Sequence, residues 1–246
     1  MIEIEQLSKK FGKLQALKDI NLSLSSGQCI SLIGPNGSGK TTLIKSILGM
    51  VVPSSGNILF DGKNINKEWA YRNDIGYMPQ IGQYPENMRI GQVLDMMRDI
   101  RKTPDHLLDN ELYEKFELNK MLDKRMRTLS GGTRQKVSAC LAFMFDPKVL
   151  ILDEPTAGLD PLATEILKEK IVYEKQKNKL ILITSHVLSD LDELVSQIIY
   201  MQDGELVFHK SLEDLKSDTG TDKLSKAIAH IMGHRSIPQI EIIHEQ

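Results

Sequence analysis

Cysteine is scarce in this sequence. Cys29 and Cys140 are the only two, and each sits in an apolar stretch. They provide neither a disulfide framework nor the paired spacing of a zinc site, which excludes a disulfide-stapled or zinc-organised domain and fits a reducing compartment. Both are expected to act as small buried hydrophobes. No run is long and apolar enough to span a bilayer. The opening Met1 to Leu7 lacks the basic-then-apolar order of a secretory signal, so none is expected. If the protein works at a membrane, something else must cross it. Bulk charge of one sign is also missing. The formal net charge is -2 over 246 residues, and the densest basic cluster is Lys124, Arg125 and Arg127. A nucleic-acid partner is therefore not expected. There is no internal repeat and no low-complexity segment. What remains is 41% hydrophobic and 26% charged residues, the composition of a globular protein long enough to bury a sizeable core.

The order of local patterns points to an α/β fold. Ile2, Ile4 and Leu7, then Ile20, Leu22 and Leu24, alternate with polar residues as half-buried strands do, giving an N-terminal antiparallel β region. Cys29 to Ile33 reads as a buried strand feeding a glycine loop and an apolar helix, Thr41 to Leu48. Asn57 to Phe60 and the following Asp61-Gly62 predict a strand and tight turn. From about Ile90 to Asp146, apolar residues recur at helical spacing: Ile90, Val93, Leu94 and Met97, then Leu107, Leu108, Leu112 and Phe116, then Val137, Leu141 and Met144. The methionines there, Met96 and Met97 included, are read as core filler. Val149 to Asp153, Leu180 to Thr184 and Ile198 to Met201 are further apolar strands. Unbroken apolar strands separated by helices predict a parallel sheet covered on both faces. After Phe208 the tail turns polar, with short helices and no core of its own expected. His230 and His234 lie four apart on an expected helix, but no third metal ligand accompanies them, so they are read as solvated.

Gly34-Pro35-Asn36-Gly37-Ser38-Gly39-Lys40-Thr41 matches the phosphate-loop pattern G-x-x-x-x-G-K-[ST], in the required place between a buried strand and a helix. Glycines let the loop wrap so that its N–H groups point at β- and γ-phosphates. The helix that starts near Lys40 adds the positive end of its dipole. Lys40 would reach the terminal phosphates, and the Thr41 hydroxyl would ligate Mg²⁺.

A phosphate loop alone defines only a broad class. Leu129-Ser130-Gly131-Gly132-Thr133-Arg134-Gln135 resembles the LSGGQ signature of ABC ATPases, with Thr133 where Gln is usual. Val149 to Pro155 resembles their Walker B strand, Gln80 stands at the Q-loop position, Ala157 to Asp160 is similar to the D-loop, and His186 matches the switch histidine. Phe11 sits where that family stacks an aromatic ring on adenine. The motifs occur in the family's order from Met1 to about Phe208.

The resemblance implies a P-loop NTPase, RecA-like core over 1–208 with a helical signature subdomain inserted at about 83–148, and a short tail over 209–246. It implies ATP and Mg²⁺ as cofactors. Glu154 would polarise the attacking water, His186 would contact the γ-phosphate, and Gln80 would reach the metal or the water. ATP would be held by Phe11, Asn36, Gly37, Ser38, Gly39, Lys40, Thr41 and Thr42, and by Ser130, Gly131, Gly132 and Asp160. The metal would be held by Thr41, Gln80 and Asp153. It further implies a homodimer in the ATP-bound state, head to tail, in which the signature of one copy closes on the ATP of the other. A membrane-spanning ABC subunit is the implied partner, touching residues near 81–101, where Tyr84, Met88, Met96 and Met97 are of types enriched at interfaces. The implied location is cytoplasmic, peripheral on the inner face of the cell membrane.

Two classes remain open within the family: a transport ATPase, and an ABC protein acting on ribosomes, DNA or chromosomes. The second class usually carries paired cassettes, long coiled coils or zinc insertions, none of which the sequence contains. Gly158 to Pro161 followed by Thr164-Glu165 resembles ATPases serving ABC-2-type membrane subunits. Gly76 to Gly82 and Ser185 to Leu191 are similar to NosF-type ATPases, which support assembly of the copper centres of nitrous-oxide reductase.

Overall fold

The computed structural model describes residues 1–185, 194–221 and 226–228. Among them, two sheets carry the chain. The first is antiparallel, built from β1 (Ile2–Phe11), β2 (Leu14–Leu24), β4 (Ser55–Phe60) and β5 (Lys63–Asn64) in the order β2-β1-β4-β5. The second comprises β3 (Cys29–Ile33), β6 (Ile75–Met78), β7 (Val149–Asp153), β8 (Leu180–Thr184), β9 (Gln197–Gln202) and β10 (Glu205–Ser211) in the order β10-β9-β3-β8-β7-β6. All its pairings are parallel except the β9–β10 hairpin.

The second sheet is sandwiched, which explains its unbroken apolar runs. Successive side chains on a strand face opposite ways. Ile30 and Leu32, Val149 and Ile151, and Leu180 and Leu182 face the N-terminal sheet and α1 (Lys40–Ile47). Cys29 and Ile33, Leu150 and Leu152, and Ile181 and Ile183 face a second core built with the helices. Cys29 and Cys140 are both buried there, and burial pushes each thiol up to about 12, which keeps them inert.

In the first sheet the alternation breaks by one residue. Ile4 pairs with Leu22 but Leu7 with Ile20, and Gln6 between them takes a left-handed φ of 49°. The bulge explains why Ile2, Ile4 and Leu7, rather than an even series, reach the core.

The regular elements between β6 and β7 are all helical: α2 (Ile90–Arg101), α3 (Glu111–Lys115), α4 (Gly131–Phe143) and short 3-10 turns at Asp105–Leu107, Leu118–Met121 and Met126–Thr128. The Gln92 side chain accepts the Arg89 N–H at the start of α2, at 2.9 Å. Val93, Leu94, Leu112, Phe116 and Val137 are buried, whereas Leu107 is exposed and Met96 and Met97 are only half-buried. Those two methionines are therefore boundary residues rather than core filler. Then α5 (Pro161–Gln176) covers the helical side of the sheet.

The boundary expected at Phe208 falls inside a strand, because β10 runs on to Ser211. Helix α6 (Leu212–Thr219) follows, and Leu215, Ala227 and Ile228 are buried in the helix-side core. The polar pattern of this stretch concealed a narrow apolar stripe that docks on the main body. No helix among the described residues is long and apolar enough to cross a membrane.

Candidate active site

The phosphate loop leaves β3 at Ile33 and enters α1 at Lys40. Two of its glycines are sterically required. Gly34 has φ 149°, and a Cβ there would strike the Met201 carbonyl oxygen on β9. Gly39 has φ 102°, and a Cβ there would come within 2.6 Å of the Ala16 carbonyl oxygen on β2. The loop is thus clamped between the two sheets. Lys40 Nζ donates to the carbonyl oxygens of Gly34 and Pro35 at 2.7 and 3.1 Å. Burial lowers its pKa, and the nearby Asp153 and Glu154 oppose that shift.

Asp153 ends β7, and Glu154 turns away from it with a left-handed φ of 51°. That conformation costs a non-glycine residue about 1–2 kcal/mol, and the surrounding bonds hold it. The Glu154 N–H donates to both the carbonyl and the hydroxyl oxygen of Thr184 at 3.1 Å. Its carbonyl accepts from the buried Gln135 side chain at 3.4 Å. The Thr184 hydroxyl donates to Asp153 Oδ1 at 2.5 Å, fixing the carboxylate at the strand end. Burial, reinforced by Asp153, pushes the adjacent Tyr77 hydroxyl up to about 12.

Lys40, Asp153, Glu154 and Thr184 line one cavity of about 570 Å³. It gathers Phe11, Asn36 to Thr42, Gln80, Asp153 and Glu154 from the expected set, and adds Leu14, Gln15, Ala16, Thr184 and Ser185. Thr184 was legible as the end of an apolar strand and Ser185 as the residue before the switch histidine, neither as part of the site. Phe11 is half exposed at the end of β1, with Lys9 Nζ 4.8 Å from its ring centre. His186, His230 and His234 lie outside the described residues.

Ser130, Gly131, Gly132 and Asp160 do not line that cavity. They cluster elsewhere. Ser130 caps α4, accepting the Thr133 N–H at 3.2 Å. Asp160 caps α5, accepting the Ala163 N–H at 2.9 Å, and its other oxygen accepts from Lys136 Nζ at 2.7 Å. The Lys136 bond is the leading cause that holds the Asp160 carboxyl below its ordinary range. A Cβ on Gly132 would lie 2.7 Å from the Gly158 carbonyl oxygen, so this glycine lets the start of α4 sit against the turn before α5. A Cβ on Gly131 would meet nothing within 4 Å.

Comparison with known proteins identifies the family. Residues 17–157, more than half of the chain, match the ABC transporter family. The ABC transporter ATP-binding protein YtrB of Bacillus subtilis (strain 168) is 35% identical over 219 residues, covering 89% of this chain and 74% of YtrB. The lantibiotic transport ATP-binding protein SrtF of Streptococcus pyogenes is 33% identical, covering 87% of this chain and 92% of SrtF. Among solved structures, the ATP-binding subunit of an ABC transporter superposes with a TM-score of 0.88 at 26% identity, covering 94% of this chain and 99% of that one. A dimeric ATP-binding cassette in a post-hydrolysis state, bound to ADP and Pi, has a TM-score of 0.74 at 25% identity, over 86% of this chain and 99% of that one. By sequence over its first two thirds and by fold over nearly all its length, this chain belongs to the ABC transporter family, as an ATP-binding protein that hydrolyses ATP.

Proposed function

We propose that this chain is the motor of an ABC transporter, hydrolysing Mg-ATP at two composite sites between two copies and driving an ABC-2-type membrane subunit. One observation carries the composite-site reading. The P-loop, Gln80, Asp153 and Glu154 share a cavity, while Ser130, Gly131, Gly132 and Asp160 do not line it. Among the described residues nothing requires position 131 to be glycine, which fits a position that another molecule approaches closely. A head-to-tail pair related by a two-fold axis brings the two sets together.

The cavity offers a hydroxyl from Thr41, an amide oxygen from Gln80 and a carboxylate from Asp153, hard oxygen donors that suit Mg²⁺. Bound there, Mg²⁺ would neutralise charge on the phosphate oxygens. The protein's own residues do the rest. The loop N–H groups and Lys40 hold the β- and γ-phosphates, Phe11 receives the base, and Glu154 orients and polarises the attacking water. His186 keeps its proposed γ-phosphate contact on its motif alone.

For the membrane partner, a groove of about 310 Å³ is lined by Met50, Tyr77, Gln83, Tyr84, Met97 and Phe145 among others, and a second pocket that shares Gln83 and Tyr84 with it is lined by Ile81. Within the segment 81–101, Tyr84 and Met88 pack on the helix-side core, and the Tyr84 hydroxyl bonds Ser138 Oγ at 2.9 Å. Charge at either would disturb the fold first. Ile81, directly after Gln80 and 67% exposed, is the cleaner probe. The test is purification of the chain with its partner from native membranes. Ile81→Asp should lose at least tenfold of the co-purifying membrane subunit while the soluble ATPase rate stays within twofold. Equal recovery of the partner would move the docking surface elsewhere.

The narrower cargo reading, copper-related transport for nitrous-oxide reductase assembly, is supported by the NosF-like stretches Gly76 to Gly82 and Ser185 to Leu191. Deleting the gene in its native host should lower copper-loaded nitrous-oxide reductase and spare other copper enzymes. Unchanged reductase activity in both copper-replete and copper-poor growth would leave an ABC-2-type exporter of another substrate.

A further inference from the structure

The signature carries Thr133 where the resembling motif has Gln, and Thr133 Oγ1 lies 2.9 Å from Ser130 Oγ. A serine hydroxyl has one proton to give and two lone pairs to fill. The Thr133 N–H already fills one lone pair of Ser130 Oγ, at 3.2 Å. The direction of the second bond then decides what Ser130 can offer outward. If Ser130 donates to Thr133, its proton is used within the chain and it presents only a lone pair. If Thr133 donates to Ser130, both lone pairs are filled, and the Ser130 proton has no remaining intrachain use.

We propose that Thr133 is a positioning residue: its hydroxyl donates to Ser130 Oγ and so makes exposed Ser130 a dedicated donor to a phosphate oxygen of the ATP held by the second copy. The inference rests on the composite-site reading above. An anionic oxygen selects this polarity, because a lone pair facing it would repel and a proton would form a charge-assisted bond. Ser130 is exposed and caps the N-terminus of the 13-residue α4, where the free N–H groups favour the same anion. Thr133 acts through Ser130 and does not itself touch the nucleotide.

The test reads the ATP concentration that gives half-maximal dimer by light scattering, with Mg²⁺ present, in a Glu154→Gln background. Thr133→Val keeps the branched shape and the capping N–H but removes the hydroxyl. It should raise the required ATP about five- to tenfold, the worth of roughly one hydrogen bond to a charged system. Thr133→Ser should restore the starting value. Ser130→Ala should also weaken dimerisation, and Thr133→Val should then add nothing on top of it. ATP binding by the monomer, which uses the other cavity, should be the same in Thr133→Val and Thr133→Ser as in the background.

Unchanged or tighter dimerisation of Thr133→Val, with Ser130→Ala weakened, overturns the proposal and leaves the composite site standing. Additive effects of the two substitutions overturn it as well, since Thr133 would then act on the fold. Loss of monomer ATP binding in Thr133→Val overturns it for the same reason. If Ser130→Ala has no effect on dimerisation, the composite-site reading itself fails.

Discussion

Glu154→Gln should stop hydrolysis and lock two copies of the chain together. Gln is nearly isosteric with Glu, and the bonds that hold residue 154 in its left-handed conformation come from its backbone N–H and carbonyl. The backbone should therefore survive the change. Lys40, Thr41 and Asp153, the proposed ligands of nucleotide and metal, remain, so Mg-ATP should still bind. What disappears is a carboxylate able to orient and polarise water, and losing a positioned base typically slows a reaction by ~10²–10⁴. On the proposed composite site, ATP bridges two copies and hydrolysis separates them, so a slow site should accumulate the closed dimer. Lys40→Ala should behave in the opposite way. It removes the cation bonded to the loop carbonyls of Gly34 and Pro35, so tight nucleotide binding fails and no dimer forms. Size-exclusion chromatography with light scattering, with and without Mg-ATP, separates the cases. A Glu154→Gln protein hydrolysing at the normal rate removes Glu154 from catalysis. One that is inactive and binds ATP, yet stays monomeric with its membrane partner present, removes the sandwich-dimer mechanism.

The largest loss of stability is expected at Lys170→Met, far from the nucleotide. Lys170 Nζ meets Asp109 at 2.5 Å, Glu111 at 2.8 Å and Glu174 at 2.9 Å, and the Lys170 and Glu174 side chains are each only 1% exposed. Lys179 bonds both Glu174 and Asp146. The network ties the helical insertion, through Asp109 and Glu111, to α5, the helix that Asp160 caps. Removing one partner of a buried ion group typically costs about 3–5 kcal/mol, and here Glu174 would stay buried with only Lys179 and Lys177 to balance it. For a chain of this size that is a fall in Tm of roughly 6–20 °C. Adding Glu174→Leu to Lys170→Met should recover part of the loss, since it removes a stranded charge. A single-variant loss below about 1 kcal/mol would show that the group is adequately hydrated.

The same group sets a pH dependence. Burial raises the Glu174 pKa, but bonds from Lys179 and Lys170 outweigh it and leave the carboxyl below its ordinary value. The Lys170 bond lowers Glu111, and the Lys179 bond lowers Asp146. Folded values below unfolded ones mean that this stabilisation is present above the ordinary carboxylate range and lost as pH falls through the depressed values. Burial pulls Lys170 down, but its three carboxylate partners raise it above 10.5 overall, so its contribution is complete below that pH and lost only as pH rises through the folded value. The stability gap between wild type and Lys170→Met should therefore be widest between about pH 5 and pH 10 and shrink in acid. A gap that stays constant down to pH 3 would contradict the ionic origin.

Much of this protein was readable from the sequence because the features concerned are local. The phosphate loop needs glycine at Gly34 and Gly39 and a lysine one step on, and those residues are contiguous. Strands β7 and β8 announce themselves because both of their faces are covered, so every residue from Val149 to Leu152 and from Leu180 to Ile183 is apolar, whereas the short β6, with Gly76 at its second position, gave no such run. Asp153 and Glu154 follow such a run directly. The tertiary structure decided what depends on distant segments meeting. The bulge at Gln6 resets β1 against β2. Gly34 and Gly39 owe their necessity to Met201 and Ala16, and Gly132 owes its own to Gly158. The strand beyond Phe208 exists because β9 offers an edge to pair with. Lys170, Lys179 and four acids are an ordinary scatter of surface charges along the sequence, and only the packing of α5 against the helical insertion makes them a buried network. Periodicity and spacing report which face of an element is buried; they carry no information about what it is buried against, because that is set by chain crossings between segments tens of residues apart.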